Sequence, residues 1–507
     1  MKKVFTLVLA CLMLISVFAG CNSGKKPGEG GRGVNIYVES AIPTLHPYLS
    51  GDEYAPCYVL NNVYETLIKL DVNNEVQPCL ATEWSVSDDG MVYTFKIVEG
   101  AKFHNGEELK ASDVAFSFNT AIATPAMSPY VSMMDHAEAT GDYTVDLYLK
   151  SAYAALISLL GNVYIVNEKF YTEHAEIYDI ACGTGPYVLR EGEVDLNTEV
   201  VLDRYEEYRL GLASIPTATL KIITDASTAR IQLETGELDF LMVYSVSNYQ
   251  PLAATGDYNT ALVTAPHTAY IALNLQVAPL DIKEVRQALC YATDNESITT
   301  IAYEGLAVPA RALVGENSFG VDFSGATDFS YDLDKAKEKL AEAGFPNGLD
   351  FDDYGVELEY IPGSYHEKIA NCLQDTWSQA GIHISLRASE NVDCATGQHT
   401  MRTTGTDYKA DMSYMSGKYA SWGIGATNYA FYSNERVDEL FRLAEVETDQ
   451  EQRKAYYKEL TEIIVDDCPY VPIQHKEIPY VWNKDLNAKV YPSNERPWYI
   501  YDWSWNS

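Results

Sequence analysis

The stretch from Val356 to Leu386 constrains this chain most, because it reads as a strand, a helix and a second strand in immediate succession. Val356-Glu-Leu-Glu-Tyr-Ile361 alternates apolar and polar residues with the two-residue period of a strand. Ile369, Leu373 and Trp377 then recur at four-residue spacing, which lines one face of a helix. Gly381 suits a left-handed helix stop, and Ile382, Ile384 and Leu386 alternate into another strand. This is one βαβ unit, and it predicts an α/β fold. Other helices carry similar stripes. Asp281 is placed to cap one bearing Val285, Ala288, Leu289 and Ala292. Leu333, Ala336, Leu340 and Ala343 mark a second, and Val437, Leu440, Phe441 and Ala444 a third. Asp449 and Gln452 are spaced like a capping box for a fourth, from about Asp449 to Val465. Short strands are predicted at Thr94 to Val98, Val145 to Leu149 and Val200 to Leu202, in more β-rich regions.

The amino terminus predicts export. Met1-Lys2-Lys3 is basic, Val4 to Phe18 is apolar, and Ala19-Gly20-Cys21 follows. The apolar run is shorter than the ~20 residues a spanning helix needs, so residues 1–20 read as a lipoprotein signal peptide. Cys21 is the predicted lipidation site, and two acyl chains suffice for stable anchoring. Residues 21–33, rich in Gly and Lys, read as a flexible tether with a reach of roughly 20 Å. The mature protein is therefore expected at the outer face of the cytoplasmic membrane or in the periplasm, lipid-anchored through Cys21.

The remaining ~480 residues exceed one hydrophobic core and predict two or three domains. Once Lys2 and Lys3 leave the 36 basic residues, 34 face 72 acidic ones. So acidic a surface repels nucleic acid and anionic head groups, and no nucleic-acid partner is expected. Of nine cysteines, Cys57, Cys79, Cys182, Cys290, Cys372, Cys394 and Cys468 remain after Cys11 and Cys21 are set aside. An odd, dispersed set without C-x-x-C excludes a dense disulfide scaffold or zinc ribbon and leaves any pairing unreadable.

Catalytic signatures fail on inspection. His366-Glu367 begins an H-E-x-x-H pattern, but Ala370 stands at the second ligand position. Gly417-Lys418 lacks the glycine spacing of a phosphate loop, and no G-x-S-x-G occurs. The nine histidines show no metal-ligand pairing. No catalytic residue, metal site or cofactor is predicted.

Several motifs in series carry a family resemblance. They include Pro43-Thr-Leu-His-Pro47, Val63-Tyr-Glu-Thr-Leu67, Trp84-Ser-Val-Ser-Asp-Asp-Gly90 and Gly100-Ala-Lys-Phe-His-Asn-Gly106. Gly183-Thr-Gly-Pro-Tyr187, Gly236-Glu-Leu-Asp239, Val285-Arg-Gln-Ala-Leu289 and Pro469-Tyr-Val-Pro472 continue the series. Together they resemble the family 5 extracytoplasmic solute-binding proteins, the binding components of ATP-binding-cassette (ABC) importers for oligopeptides, dipeptides and nickel. The resemblance implies an α/β, two-lobed clamp of the periplasmic-binding-protein type II kind, with an extra domain inserted in the first lobe. It places the first-lobe main domain at residues 34–55, 181–270 and 475–507, the inserted domain at 56–180 and the second lobe at 271–474. It implies a monomer that closes on a peptide or other small solute and docks on ABC permease subunits.

Peptide-binding relatives carry an Asp shortly after a Trp, which pairs with the peptide α-amino group. The resembling stretch here is Asp411 to Gly423, where Ala420 stands at that position and no acid occurs between Met412 and Asn428. The expected ligand contacts are therefore Lys418 for a carboxylate and Tyr414, Tyr419 and Trp422 for stacking, on the loop after a strand carrying Met412 and Tyr414. Tyr48 and Tyr244 face them from the first lobe, with Arg402 and Arg387 as weaker candidates. Peptide is the first expectation for the solute. An oligosaccharide or nickel chelate is the alternative, and a hydrolase or sensor role the third.

Overall fold

The computed structural model describes residues 31–49, 54–174, 178–243, 245–390, 394–492 and 498–506. The signal segment, Cys21 and Tyr244 lie outside the described residues.

An eleven-stranded mixed sheet runs through the molecule. At its centre the strands Tyr258–Leu273 and Tyr470–Asn483 pair antiparallel along almost their whole length. On one side lie Met401–Asp407, Glu357–Tyr360 and Ser385–Ala388, parallel to one another. On the other side lie Phe240–Met242, Val34–Val38, Thr217–Ile222, Glu199–Arg204 and Tyr187–Asp195. A separate four-stranded sheet, Ala81–Val86, Val92–Ile97, Thr144–Leu149 and Met134–Gly141, packs under the helix Ala111–Ala123.

Three large apolar cores follow from strand alternation. Ala269, Ile271 and Leu273 point to one face, against the helices Lys283–Tyr291 and Tyr365–Gln379. Tyr270 and Ala272 point to the other, against Glu435–Val446 and Gln450–Asp467. Val285 and Val437 thus lie on opposite faces of one stretch of sheet. The third core gathers Ile36, Phe240, Tyr480 and Trp498 with the four-stranded sheet.

The helix expectations hold with local corrections. Ser364 caps Tyr365–Gln379 by accepting from the His366 amide, and Asp449 caps Gln450–Asp467 by accepting from Glu451 and Gln452. Asp281 caps nothing: Ile282 is the cap residue, and the Asp281 carbonyl accepts from Arg286. Arg286 satisfies its guanidinium on the carbonyls of Leu280, Asp281 and Asp467. The strand expected from Ile382 to Leu386 is split. Ile382–His383 pairs with Leu349–Asp350, whereas Ser385–Ala388 joins the main sheet. Asp352 holds the break by accepting from the Ser385 amide (3.2 Å) and hydroxyl (2.8 Å).

The motif glycines reflect close packing. The Gly185 amide donates to the Val63 carbonyl at 2.9 Å, and His104 bonds both Gly183 and Gly185. A Cβ on Gly183 would fall 2.1 Å from the Val63 oxygen. Three sequence motifs thus meet at one point, where only glycine fits. Gly183→Ala should lower unfolding free energy by about 3 kcal/mol in denaturant titration, the scale of forced overpacking. An unchanged midpoint would mean that the backbone there yields easily.

Candidate functional site

The parallel strands Glu357–Tyr360, Ser385–Ala388 and Met401–Asp407 end on the same side of the second lobe. Ligands of α/β sheets gather outside such carboxyl ends. At this edge the two central strands pass from one lobe to the other. Ala269 and Ile271 belong to the second-lobe core, while Ala265 belongs to the first. On the partner strand, Val471 and Ile473 belong to the second and Ile478 and Tyr480 to the first. The ladder is interrupted between Thr264 and Thr268, which pair with Glu477 and His475.

Asp407 ends its strand at this passage. It pairs across the ladder with His267, whose Nδ1 lies 2.8 Å from its Oδ1. From the first lobe, the Tyr54 hydroxyl donates to Oδ2 at 3.4 Å. Burial alone would raise the Asp407 pKa, but the hydrogen bond and charge of His267 hold it below the ordinary carboxylate value. Asp407 is thus an ionised carboxylate at the lobe junction. It borders a cavity of about 80 Å³, walled by Tyr54, Asn74 and Tyr499 on one side and by Tyr408 and Lys409 on the other. The Lys409 ammonium lies 5.6 Å from the Tyr130 ring of the first lobe and 5.9 Å from that of Tyr414.

Direct contacts close the lobes around this point. The Ala154 amide donates to the Glu445 carbonyl at 2.7 Å, and the Asn74 side chain to the Asn317 carbonyl at 3.2 Å. Tyr153 and Ser413 share a hydroxyl contact of 3.4 Å. Behind Asp407, Glu359 is buried in the sheet and paired with Arg402 (3.3 Å) and Arg387. Burial, followed by the charges of Arg402 and His267, pushes His366 down to about 4. Burial, with His267, does the same to His475. Both rings are neutral at pH 7.

The expected contact residues separate into groups. Tyr48 is fully buried, its hydroxyl donating to the Tyr164 carbonyl, and is a core residue rather than a cleft wall. Tyr419 is likewise sealed, its hydroxyl accepting from the Leu313 amide. Lys418 lies 4.1 Å over the Tyr429 ring, and burial pulls it down to about 8. It does not border the interlobe cavity. Arg402 is neutralised by Glu359 and has only 5 % of its surface exposed, so it is no free carboxylate anchor. Tyr414 and Trp422 are exposed, the former beside Lys409 and the latter under Arg442. Met412 and Tyr414 are not on a strand but in the 3₁₀ turn Met412–Met415. The strand is Met401–Asp407, and its terminal Asp407 supplies the junction acid that the Asp411–Gly423 stretch lacked. Among the described residues, the one three-membered group of potential metal ligands is Asp350, Asp352 and His383. It is exposed at the amino ends of the parallel strands, away from the junction.

Two lobes on a shared sheet, closing over a charged junction, define a solute-binding clamp. Residues 75–436 match the family model "Bacterial extracellular solute-binding proteins, family 5 Middle", and the chain belongs to that family. It is a solute-binding protein of the kind that serves ABC importers, working outside the cytoplasm with ABC permeases. No described helix is long and apolar enough to cross a membrane. The chain is 28% identical to glutathione-binding protein GsiB of Escherichia coli (strain K12), over 90% of this chain and 91% of that protein. It is 26% identical to heme-binding protein A of Haemophilus influenzae, over 94% of each. The solved structure of HbpA2 from Haemophilus parasuis shares the fold at a TM-score of 0.85 and 24% identity, covering 94% of this chain and 100% of its own.

Proposed function

We propose that this protein captures peptides with a free amino terminus between its lobes and delivers them to a membrane permease. The observation that carries this reading is Asp407, an ionised carboxylate held by one lobe and touched by Tyr54 of the other. An ammonium group seated there would replace the Tyr54 contact with a charge-assisted bond and draw the lobes together. Lys409 on the same cavity supplies the opposite charge, so the junction complements a zwitterion better than a sugar or a metal chelate. The glutathione-binding relative fits this reading, since glutathione is a small peptide with a free amine. Tyr414 and Trp422, exposed on the second lobe, would flank the side chains of a longer peptide. The protein is a monomeric carrier without catalytic residues in this reading. Its layout is residues 34–55, 181–270 and 475–507 for the first lobe, 56–180 for the inserted domain and 271–474 for the second lobe. Cys21 carries the lipid anchor.

Calorimetry tests the proposal with di- to pentapeptides, the same peptides N-acetylated, and hemin. Free peptides should bind, and acetylation should weaken them at least tenfold, because it removes the charge that Asp407 reads. Equal affinity for acetylated peptides would overturn the amine reading, as would binding of hemin alone.

A further inference from the structure

One sizeable cavity does not lie at the lobe junction. It is a pocket of about 590 Å³ on the flank of the second lobe, beside the start of the strand Tyr470–Asn483. The short strand Ala307–Pro309 covers the neighbouring stretch of that strand only from Gln474 to Lys476, which leaves a recess beside Val471 and Pro472. Two thiols stand on its wall, Cys290 at the end of the helix Lys283–Tyr291 and Cys468 just after the helix Gln450–Asp467.

These thiols are held together by their surroundings. Lys283, Arg286, Gln287 and Cys290 share one helix face, and that face is bound residue by residue to the segment that ends at Cys468. Lys283 bridges to Asp467 at 2.9 Å, the Arg286 Nε donates to the Asp467 carbonyl at 3.0 Å, and the Gln287 amide donates to the Asp466 carbonyl at 2.8 Å. One turn further on, Cys290 and Cys468 line the same pocket and belong to the same apolar core. Cys468 also donates to the Val465 carbonyl at 3.1 Å, which fixes its side chain. The pocket opens this pair to molecules of the size of a small disulfide, while both residues are otherwise buried.

We propose that Cys290 and Cys468 are a reversible dithiol–disulfide pair that ties the second lobe together when the exported protein meets a low-molecular-weight disulfide. Outside the cytoplasm such pairing is the normal fate of adjacent thiols. Cys290 attacks one sulfur of RSSR as the thiolate, forming the mixed disulfide and releasing RS⁻. Cys468 then loses its proton, attacks the Cys290 sulfur and displaces the second RS⁻. The two thiol protons end on two RSH, and the two electrons lost by the protein reduce RSSR. Cys468 is the more enclosed of the two, which makes it the second sulfur to react. The bond would close a very long loop and fasten the root of a strand that crosses to the first lobe, without touching the interlobe cavity.

Glutathione disulfide is the probe. Native full-length protein is incubated with it, alkylated with iodoacetamide and digested without reduction. We expect a cross-linked peptide joining Cys290 to Cys468, loss of label from those two positions alone, and a melting temperature raised by roughly 5 °C that returns on reduction. C290S and C468S should each abolish the rise and melt like the reduced wild-type protein. Full alkylation of both residues after oxidation, or cross-links confined to other cysteines, overturns the proposal without recourse to any variant. Those outcomes leave the peptide reading untouched.

Discussion

Asp407→Asn should weaken binding of a free-amine peptide by about 2–4 kcal/mol, roughly 30- to 1000-fold, while leaving the fold intact. Among the described residues that line this cavity from the second lobe, Asp407 carries the one negative charge, and its removal leaves a buried ammonium with a neutral partner. The substitution keeps shape and acceptor capacity toward Tyr54, so lobe closure itself should persist. The decisive comparison is the pair of peptides, free and acetylated. In the variant the two should bind alike, because the discrimination and not merely the affinity resides in Asp407. If Asp407→Asn still prefers the free amine tenfold, the anchor lies elsewhere.

Acidification should destabilise the fold well before bulk protonation of its carboxylates. His104, His366 and His475 are each pushed from 6.5 to about 4, chiefly by burial. His104 is also fixed as a neutral tautomer. Its Nδ1 accepts from the Gly183 amide at 3.3 Å, which leaves Nε2 to donate to the Gly185 carbonyl at 3.0 Å. A proton on Nδ1 would set two donors against each other. In the unfolded chain these rings protonate near 6.5, so the stabilisation from keeping them neutral is complete above that value. It is lost as pH falls from 6.5 through 4. At pH 5 the loss is roughly 2 kcal/mol per ring, or about 6 kcal/mol together, which rivals the 5–15 kcal/mol of a typical fold. Relief of mutual repulsion among 72 acidic residues opposes this, but those charges are mostly solvated and screened. Urea midpoints at pH 7.5 and 5 should therefore fall clearly on acidification. His104→Gln should lower the pH 7.5 midpoint but flatten the slope between the two. A stability that rises toward pH 5 would show that charge relief wins.

What the sequence revealed tracks where local signals and packing agree. Ile369, Leu373, Trp377 and Gly381 mark one helix and its stop, and Asp449 announces another. The family motifs were legible as architecture because Gly183 and Gly185 serve one close contact with Val63. The strand Met401–Asp407 was not legible, and the physical reason is its composition. Met-Arg-Thr-Thr-Gly-Thr-Asp carries no apolar alternation, since Arg402 is buried by pairing with Glu359 on the next strand. Without that strand the sequence points to Asp411–Gly423 for the anchor, but Asp411 forms a buried pair with Arg453 at 2.8 Å. Aromatic counts misled for a related reason. Tyr48 and Tyr419 look like stacking faces in sequence, but their burial depends on Tyr164 and Leu313, more than a hundred residues away in the chain.

The way the lobes are joined carries a mechanical consequence. Both connections are strands, and they stay bonded to each other on either side of the passage. Such a joint behaves as a leaf spring rather than a slack cord: it stores elastic energy when bent and returns the halves to a preferred angle. Its soft spot is the interruption between Thr264 and Thr268, where three residues including Pro266 face Lys476 alone and the ladder between the two central strands is broken. Asp407 lies directly opposite that spot, paired across the ladder with His267. A solute held at Asp407, as proposed, would sit at the joint itself. With the solute seated there, a small change of angle at the joint would become a larger displacement at the rim of the lobes, where a permease would sense it.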